Sequence, residues 1–127
     1  MQRLLTEAVC SWPLYDRSIH DPVEDAVRIR EEIILLEGNY LLLDAPHWRD
    51  LRHYADYTVR ILAEEETVRE RLIQRKAASG ITREAAEAFV DFSDLYNVRN
   101  VMTHFLPADL TLRLLPDGTY KKEKAAP

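Results

Sequence analysis

Glu37 is the residue whose context most clearly suggests chemistry. It follows the apolar run 33–36, which has no polar alternation and therefore predicts a strand buried on both faces, as in a parallel α/β sheet. Open sheets of this kind bind ligands at the carboxyl ends of their strands. A carboxylate followed by Gly38 at that position is predicted to face a ligand. The alternative is a strand-end glutamate beside a turn glycine.

Arginines supply most of the basic residues, and their forked guanidinium groups suit phosphate and carboxylate ligands. Arg71 and Arg75 are one helical turn apart, so their forks can converge on one phosphate chain. Arg69 is predicted to point elsewhere and to pair with Glu65. Two simpler explanations compete: a codon bias of the source genome gives the same excess of arginine, and charged helix faces are usually solvated.

A second polar group lies near the N-terminus and contains Tyr15, Asp16, Arg17 and His20. Its aromatic, carboxylate, guanidinium and imidazole groups together can bind a polyol or a sugar ring. The alternative is an ordinary polar loop with local hydrogen bonds. No metal site is predicted, because the histidines show no metal-site spacing and Cys10 is the only cysteine.

The composition limits the classes of protein that fit. A chain of 127 residues with 46% hydrophobic residues can form one domain with a real core. Its net charge of −5 argues against a nucleic-acid interface, which usually carries a basic face. No stretch approaches the roughly 20 apolar residues of a membrane span. The single cysteine and the lack of a signal-peptide pattern favour a reducing cytoplasm.

The elements that would position these residues alternate between helix and strand. Helices are predicted at 3–9, 48–54, 64–79 and from Thr82 to about His104, with a break near 94–97. Strands are predicted at 33–37, 57–62 and 110–115, residues 11–20 are predicted to be irregular, 21–24 a single helical turn, and 121–127 a frayed tail. Such alternation predicts an α/β fold, with a parallel sheet and covering helices, in one domain over 1–127.

Four segments give the chain a specific resemblance to a family. They are WPLYDRSIHDPVEDA, IILLEGNYLLL with Trp48 after it, VRERLIQRKAASGITREAAEAF, and ADLTL. Their order and spacing from Trp12 to about Thr119 resemble the C-terminal half of P-loop kinases of the uridine kinase, phosphoribulokinase and pantothenate kinase group. Within that group the chain is most similar to bacterial kinases described as nucleoside/nucleotide kinase-like or as sugar-transport-associated.

The resemblance implies phosphoryl transfer from ATP with Mg²⁺. Glu37 would hold the metal through water or orient the acceptor hydroxyl, and Arg71 and Arg75 would form a lid that closes over ATP. The N-terminal polar group would contact the phosphoryl acceptor. Asp94 and Asn97 match a family segment without an assigned role, and hydrogen bonding at the helix break is the favoured explanation for them.

The phosphate-binding loop of these kinases, G-x-x-x-x-G-K-[ST], does not occur in the 127 residues. The glycines are Gly38, Gly80 and Gly118; no two are five apart and none precedes a lysine. In the family, the strand that carries this loop lies between the strands matching 33–37 and 57–62. We therefore expect a partial P-loop sheet that lacks the P-loop strand and leaves open strand edges. An isolated copy should rearrange, oligomerise through the gap, or need an N-terminal portion.

The expected function is that of a C-terminal part of an ATP-dependent small-molecule kinase. The complete enzyme would transfer the γ-phosphoryl group to a hydroxyl of a nucleoside, a sugar or a similar acceptor, and this chain alone would be inactive. The alternative is a non-enzymatic, degenerate kinase half that acts as a binding or dimerisation module. Neither a nucleic acid nor a membrane is expected as a partner.

Overall fold

The computed structural model describes residues 2–16 and 18–123. Arg17, which belongs to the predicted N-terminal polar group, lies outside the described residues. Residues 124–127, which belong to the predicted frayed tail, also lie outside them. Two compact units divide the chain, Met1–Gly38 and Asn39–Pro127. The prediction of one partial domain over 1–127 stays a prediction.

The first unit is built on an antiparallel hairpin. After the short helix α1 (Gln2–Thr6), strand β1 (Cys10–Asp16) pairs with β2 (Asp21–Ile29), from Cys10 opposite Ile29 to Asp16 opposite Asp21. The predictions of irregular chain at 11–20 and a helical turn at 21–24 are therefore wrong. The prolines mislead because both strands of a two-stranded hairpin are edge strands, where proline is tolerated.

The apolar run after the hairpin forms neither a helix nor a strand. Ile33 and Leu35 are 90% and 95% exposed, so the predicted buried strand at 33–37 is wrong for this structure. A strand that is apolar on both faces is stable only when paired neighbours and covering layers surround it. The described residues provide neither for this run.

The second unit contains a three-stranded mixed sheet in the order β3–β4–β5. Strand β3 (Val59–Leu62) runs parallel to β4 (Leu110–Leu114), and β5 (Tyr120–Lys122) returns antiparallel to β4. The two strands predicted in this unit, at 57–62 and 110–115, are confirmed with shorter bounds. Strand β5 corrects the predicted frayed tail at residues 121 and 122, which pair with β4. A turn with Gly118 at φ 84° makes this return possible.

Helices connect β3 to β4 and cover the sheet. They are α2 (Glu65–Ala77), α3 (Arg83–Phe89), a π-helical segment at Val90–Asp94 that we call the π-turn, and α4 (Leu95–Thr103). A 3₁₀ helix, Arg49–Tyr54, precedes β3. The predicted break in the last helix is present, but it lies at the π-turn and slightly earlier than expected. Thr82 caps α3, as predicted, by accepting a hydrogen bond from the Ala85 N–H at 3.3 Å.

The core of the second unit lies between α2 and the helices that follow it. Ile73, Ala86, Val90 and Leu95 are buried together, and Leu72 packs against them. The predicted α/β class is therefore confirmed, although the sheet is mixed rather than wholly parallel. Within the described ranges, no helix is long and apolar enough to cross a membrane.

Candidate functional site

Arg71 and Arg75 line a groove between α2 and one face of the sheet. The groove has a volume of about 400 Å³. Its other lining residues are Ile61, Ala63, Val68, Leu72, Leu114 and Tyr120. Both arginines are exposed. The groove therefore combines an apolar floor with two cationic side chains, an arrangement that can bind an anion attached to a less polar group.

These two arginines differ from the other arginines of the helices in their ion pairing. Arg69 donates to both carboxylate oxygens of Asp91 at 2.7 and 2.8 Å, and its pairing lowers the pKa of Asp91. Similar pairs join Arg83 to Glu70 and Arg99 to Glu65. Neither Arg71 nor Arg75 has a carboxylate within 4.0 Å among the described residues. Their charge therefore remains available to an external anion.

The pair predicted between Glu65 and Arg69 is wrong. Glu65 instead accepts two hydrogen bonds from Arg99 of α4, at 2.6 and 2.9 Å. These bonds lower the pKa of the Glu65 carboxyl. The i,i+4 spacing is compatible with many partners, and the tertiary packing of α2 against the later helices decides among them.

The orientation of α2 explains why Arg71 and Arg75 have no carboxylate partner within residues 2–16 and 18–123. Ile73 is fully buried and fixes the side of the helix that faces the core. At about 100° per residue, Arg69 and Lys76 lie within about 40–60° of Ile73, and Arg71 and Arg75 lie on the far side, about 40° apart. Thus the cations of α2 that form ion pairs with the described residues lie on one side of the helix, and Arg71 and Arg75 lie on the other.

A second groove, of about 320 Å³, lies at the carboxyl ends of β3 and β4. Its cations are already neutralised: Arg99 pairs with Glu65, and Arg113 pairs with Glu64 at 2.9 Å and with Glu123. The location suits a ligand site in an open α/β sheet. The charges favour the first groove for an anion, because an anion in the second would have to displace a carboxylate.

The N-terminal polar group lies at the turn end of the hairpin. Asp16 accepts hydrogen bonds from the backbone N–H and the hydroxyl of Ser18, at 2.8 and 2.6 Å, and these bonds lower the pKa of its carboxyl. Tyr15 is 58% exposed, and His20 has a left-handed backbone with φ 54°. The structure thus places Tyr15 and Asp16 at the end of β1 and His20 just before β2, all at the turn end of the hairpin.

Glu37 lies in the exposed stretch that follows the hairpin, in the first unit. It therefore shares a unit with Tyr15, Asp16 and His20, whereas Arg71 and Arg75 belong to the second unit. No group of three or more His, Cys, Asp or Glu side chains within 2–16 and 18–123 could hold a metal ion. Glu37 is thus a single carboxylate and not part of a preformed metal cage.

The sequence-based assignment missed a set of contacts that holds α2 in place. Lys76 lies 3.3 Å from Asp94 of the π-turn, and its ammonium group is 3.7 Å from the ring centroid of Phe89. A signal was present, because Arg69 and Lys76 are seven residues apart and so share one helix face. Asn97 donates to the Ser93 carbonyl at 3.5 Å, as expected for hydrogen bonding at a helix break.

Comparison with protein families and with individual proteins places these features in context. No family model matches the chain. The Escherichia coli protein YggC, which is named as uncharacterized, is 42% identical over 93% of this chain and 50% of its own length. A Schizosaccharomyces pombe protein provisionally named uridine kinase C227.14 is 30% identical over 95% of this chain and 53% of its own length. The chain therefore spans about half the length of these relatives.

Two solved structures are similar in fold. A protein of Silicibacter sp. TM1040, provisionally titled a fructose transport system kinase, has a TM-score of 0.79 and 35% identity; the match covers 87% of this chain and 56% of that chain. YFH7 of Saccharomyces cerevisiae, provisionally titled a P-loop containing kinase with a circular permutation, has a TM-score of 0.67 and 26% identity, over 83% and 35% of the two chains. The chain thus resembles, in sequence and fold, part of proteins that are named as kinases.

Proposed function

We propose that this chain forms the acceptor-binding and lid portion of an ATP-dependent, cytoplasmic small-molecule kinase. The observation that carries the proposal is that Arg71 and Arg75, beside an apolar groove, have no carboxylate partner among the described residues, whereas Arg69 on the same helix is paired. Two unpaired guanidinium groups one turn apart suit a polyphosphate chain. The kinase names of the similar proteins favour ATP as the source of that chain.

In the proposed reaction, a hydroxyl oxygen of the acceptor forms a bond to the γ-phosphorus of ATP, and the proton of that hydroxyl is released to the solvent. The bond between that phosphorus and the β,γ-bridging oxygen breaks, and ADP leaves with the electron pair. Arg71 and Arg75 hold the phosphates and neutralise the charge that develops on the leaving oxygen. When bound to the phosphates, Mg²⁺ supplies further charge neutralisation. In the complete kinase, Glu37 would hold Mg²⁺ through water, because Mg²⁺ often needs only one or two protein carboxylates.

The turn of the hairpin is the proposed acceptor site. Asp16 has a lowered pKa and stays ionised at neutral pH, so it accepts hydrogen bonds from sugar hydroxyl groups. Tyr15 offers an exposed aromatic face to a ring, and His20 offers a further polar group. Arg17 belongs to the same segment by sequence. A nucleoside or a sugar is the acceptor class that these groups fit.

None of the 127 residues supplies a phosphate-binding loop, so we expect no turnover by this chain alone. The relatives are about twice as long as the matched region, and the loop would come from polypeptide outside these residues. A coupled assay of ADP release tests this expectation with the purified chain and a panel of nucleosides and sugars. Turnover at enzyme-like rates, above about 1 s⁻¹, would contradict it.

A binding experiment tests the lid assignment without requiring turnover. Tripolyphosphate should bind the chain in isothermal titration calorimetry, and the double variant Arg71→Gln/Arg75→Gln should bind at least about tenfold more weakly, since charge-assisted contacts contribute about 1.5–3 kcal/mol each. Arg83→Gln is the matched control, because Arg83 is also on a helix surface but is paired with Glu70 and Glu87. Equal affinity of the double variant and the wild type would refute the assignment.

A non-enzymatic binding or dimerisation module is the second candidate. One observation favours it: within the described residues, β3 pairs with β4 on one side and with no strand on the other. Val59 and Ile61 of β3 are also half-exposed. Such an edge can pair with another chain. Stable self-association without any affinity for polyphosphate would favour the module over the kinase portion.

A further inference from the structure

The π-turn holds α2 through two separate ionic contacts. Asp91 accepts both hydrogen bonds of Arg69, and Asp94 contacts Lys76, seven residues further along α2. The ammonium group of Lys76 also lies over the ring of Phe89, the last residue of α3. The contacts are therefore spaced along two turns of α2, and both originate from a segment of five residues.

The contact between Lys76 and Asp94 is the more enclosed of the two. Their side chains are 23% and 22% exposed, against 25% and 48% for Arg69 and Asp91. The Oδ2 atom of Asp94 is buried and has no hydrogen bond, so Lys76 at 3.3 Å is its charge partner. Enclosed charges are screened less by salt and solvent than exposed ones. Removal of either partner would leave the other charge uncompensated.

Together with the buried Ile73, these contacts restrict the rotation of α2 about its axis. Arg69 and Lys76 lie about 20° apart on the side that meets the π-turn, and Arg71 and Arg75 project from the opposite side toward the groove. Because an α-helix is rigid over two turns, holding one side sets the direction of the other. A π-turn widens the helix locally, and such insertions are frequent at functional sites.

We infer that Asp94 is a positioning residue for the anion site: through Lys76 it holds α2 in the rotation that directs Arg75 toward the groove. This inference rests on the proposed function, because a positioning role for Asp94 has meaning only if the arginines bind an anionic ligand. It replaces the role expected for Asp94, hydrogen bonding at the helix break, because the Asp94 side chain makes no hydrogen bond with the described residues.

Tripolyphosphate titrations on the full chain test this role. Asp94→Asn keeps the shape and removes the charge, and it should weaken affinity about three- to tenfold, in the range of coupling between residues that share a network. Lys76→Gln should give the same loss. Glu70→Gln is the matched control, because it breaks another α2 contact, with Arg83 of α3, and should leave affinity unchanged.

The decisive measurement is the tripolyphosphate affinity of the double variant that combines Asp94→Asn with Arg75→Gln. If Asp94 acts through the direction of Arg75, then Asp94→Asn should have little further effect on affinity in the Arg75→Gln background. A merely structural role would weaken both backgrounds equally, and that result would overturn the inference. Circular dichroism verifies folding, and if Asp94→Asn unfolds the chain, Lys76→Gln decides by the same comparison.

The outcomes separate this inference from the proposed function. Loss of binding in Arg71→Gln/Arg75→Gln together with wild-type affinity in Asp94→Asn and Lys76→Gln would overturn the positioning role alone. Absence of tripolyphosphate binding by the wild-type chain would overturn both. Reduced affinity in both variants, with the effect lost in the Arg75→Gln background, would support both.

Discussion

Asp109, which immediately precedes β4, accepts two hydrogen bonds from Thr58, which immediately precedes β3. The Thr58 backbone N–H and hydroxyl donate to Oδ2 of Asp109 at 2.7 and 2.6 Å, and the Asp109 N–H donates back to the hydroxyl at 3.1 Å. Arg52 contacts the same carboxylate at 3.1 and 3.2 Å. These bonds start the parallel pair in register, and the Leu110 N–H continues the ladder by donating to the Thr58 carbonyl.

Replacement of Thr58 by valine should therefore destabilise the second unit. Thr58 is buried, and the substitution removes its hydroxyl but preserves its shape, so the carboxylate loses one donor and the Asp109 N–H loses its acceptor. We expect the free energy of unfolding to fall by about 1–3 kcal/mol, measured by urea denaturation. Thr111→Val is the control, because the Thr111 hydroxyl makes no hydrogen bond within the described residues. An equal effect of the two variants would contradict this account.

The same contact predicts an acid-dependent stability. The Thr58 hydroxyl and N–H, together with Arg52, lower the pKa of the Asp109 carboxyl in the folded state. A lowered folded-state pKa gives stability that is present above the unfolded value of about 3.9 and is lost as the pH falls through the folded value. Asp109→Asn should therefore be less stable than the wild type at pH 7, and the difference should shrink below about pH 4.

Urea titrations at a series of pH values measure this difference. Asp50→Asn is the control, because the Asp50 carboxylate makes no hydrogen bond or ion pair with the described residues. A stability difference for Asp109→Asn that stays constant from pH 7 to pH 3 would show that the ionised carboxylate contributes nothing.

Local signals in the second unit were sufficient to predict its helices and two of its three strands. The apolar stripe of α2, the cap at Thr82 and the β-branched run before Leu62 each reflect interactions within a few residues. The position of Arg71 and Arg75 on one helix face followed from the same spacing. The pairing of Arg69 with Asp91 could not be predicted from this spacing, because it depends on packing between residues that are 22 apart in the chain.

The first unit shows where local signals fail. Pro13 indicated irregular chain and Pro22 a helix start, but each falls on an edge strand, where a missing N–H costs little. The run 33–36 had the composition of a buried strand, but a strand also needs paired neighbours, and the described residues supply none. The composition of this run therefore indicated a preference for a buried strand, but without a neighbouring strand among the described residues the run forms no strand.

Ile73 should be the most sensitive position in the core of the second unit. It is fully buried on α2 against Ala86, Val90 and Leu95, so Ile73→Ala would leave a cavity between the helices. We expect a loss of about 2–5 kcal/mol in the free energy of unfolding, measured by urea denaturation. Ile81→Ala, at a 43% exposed position, is the control with the same chemical change and should cost less. Similar losses in the two variants would show that Ile73 is not a core residue.

The free edge of β3 should make the chain associate with itself as its concentration rises. Because the Leu110 N–H donates to the Thr58 carbonyl, the N–H groups of Val59 and Ile61 point away from β4 in a parallel ladder. No strand within the described residues accepts them, and both side chains are half-exposed. An unpaired edge with apolar side chains favours pairing with another chain, whereas a lysine on the edge opposes it.

Ile61→Lys should therefore lower the apparent mass at high concentration, as measured by size-exclusion chromatography with light scattering. Ile81→Lys, which adds the same charge outside β3, is the control and should leave association unchanged. Hydrogen exchange at Val59 and Ile61 should also slow with concentration in the wild type. A wild-type chain that stays monomeric at high concentration, with these two amides exchanging fast, would show that the edge recruits no second copy.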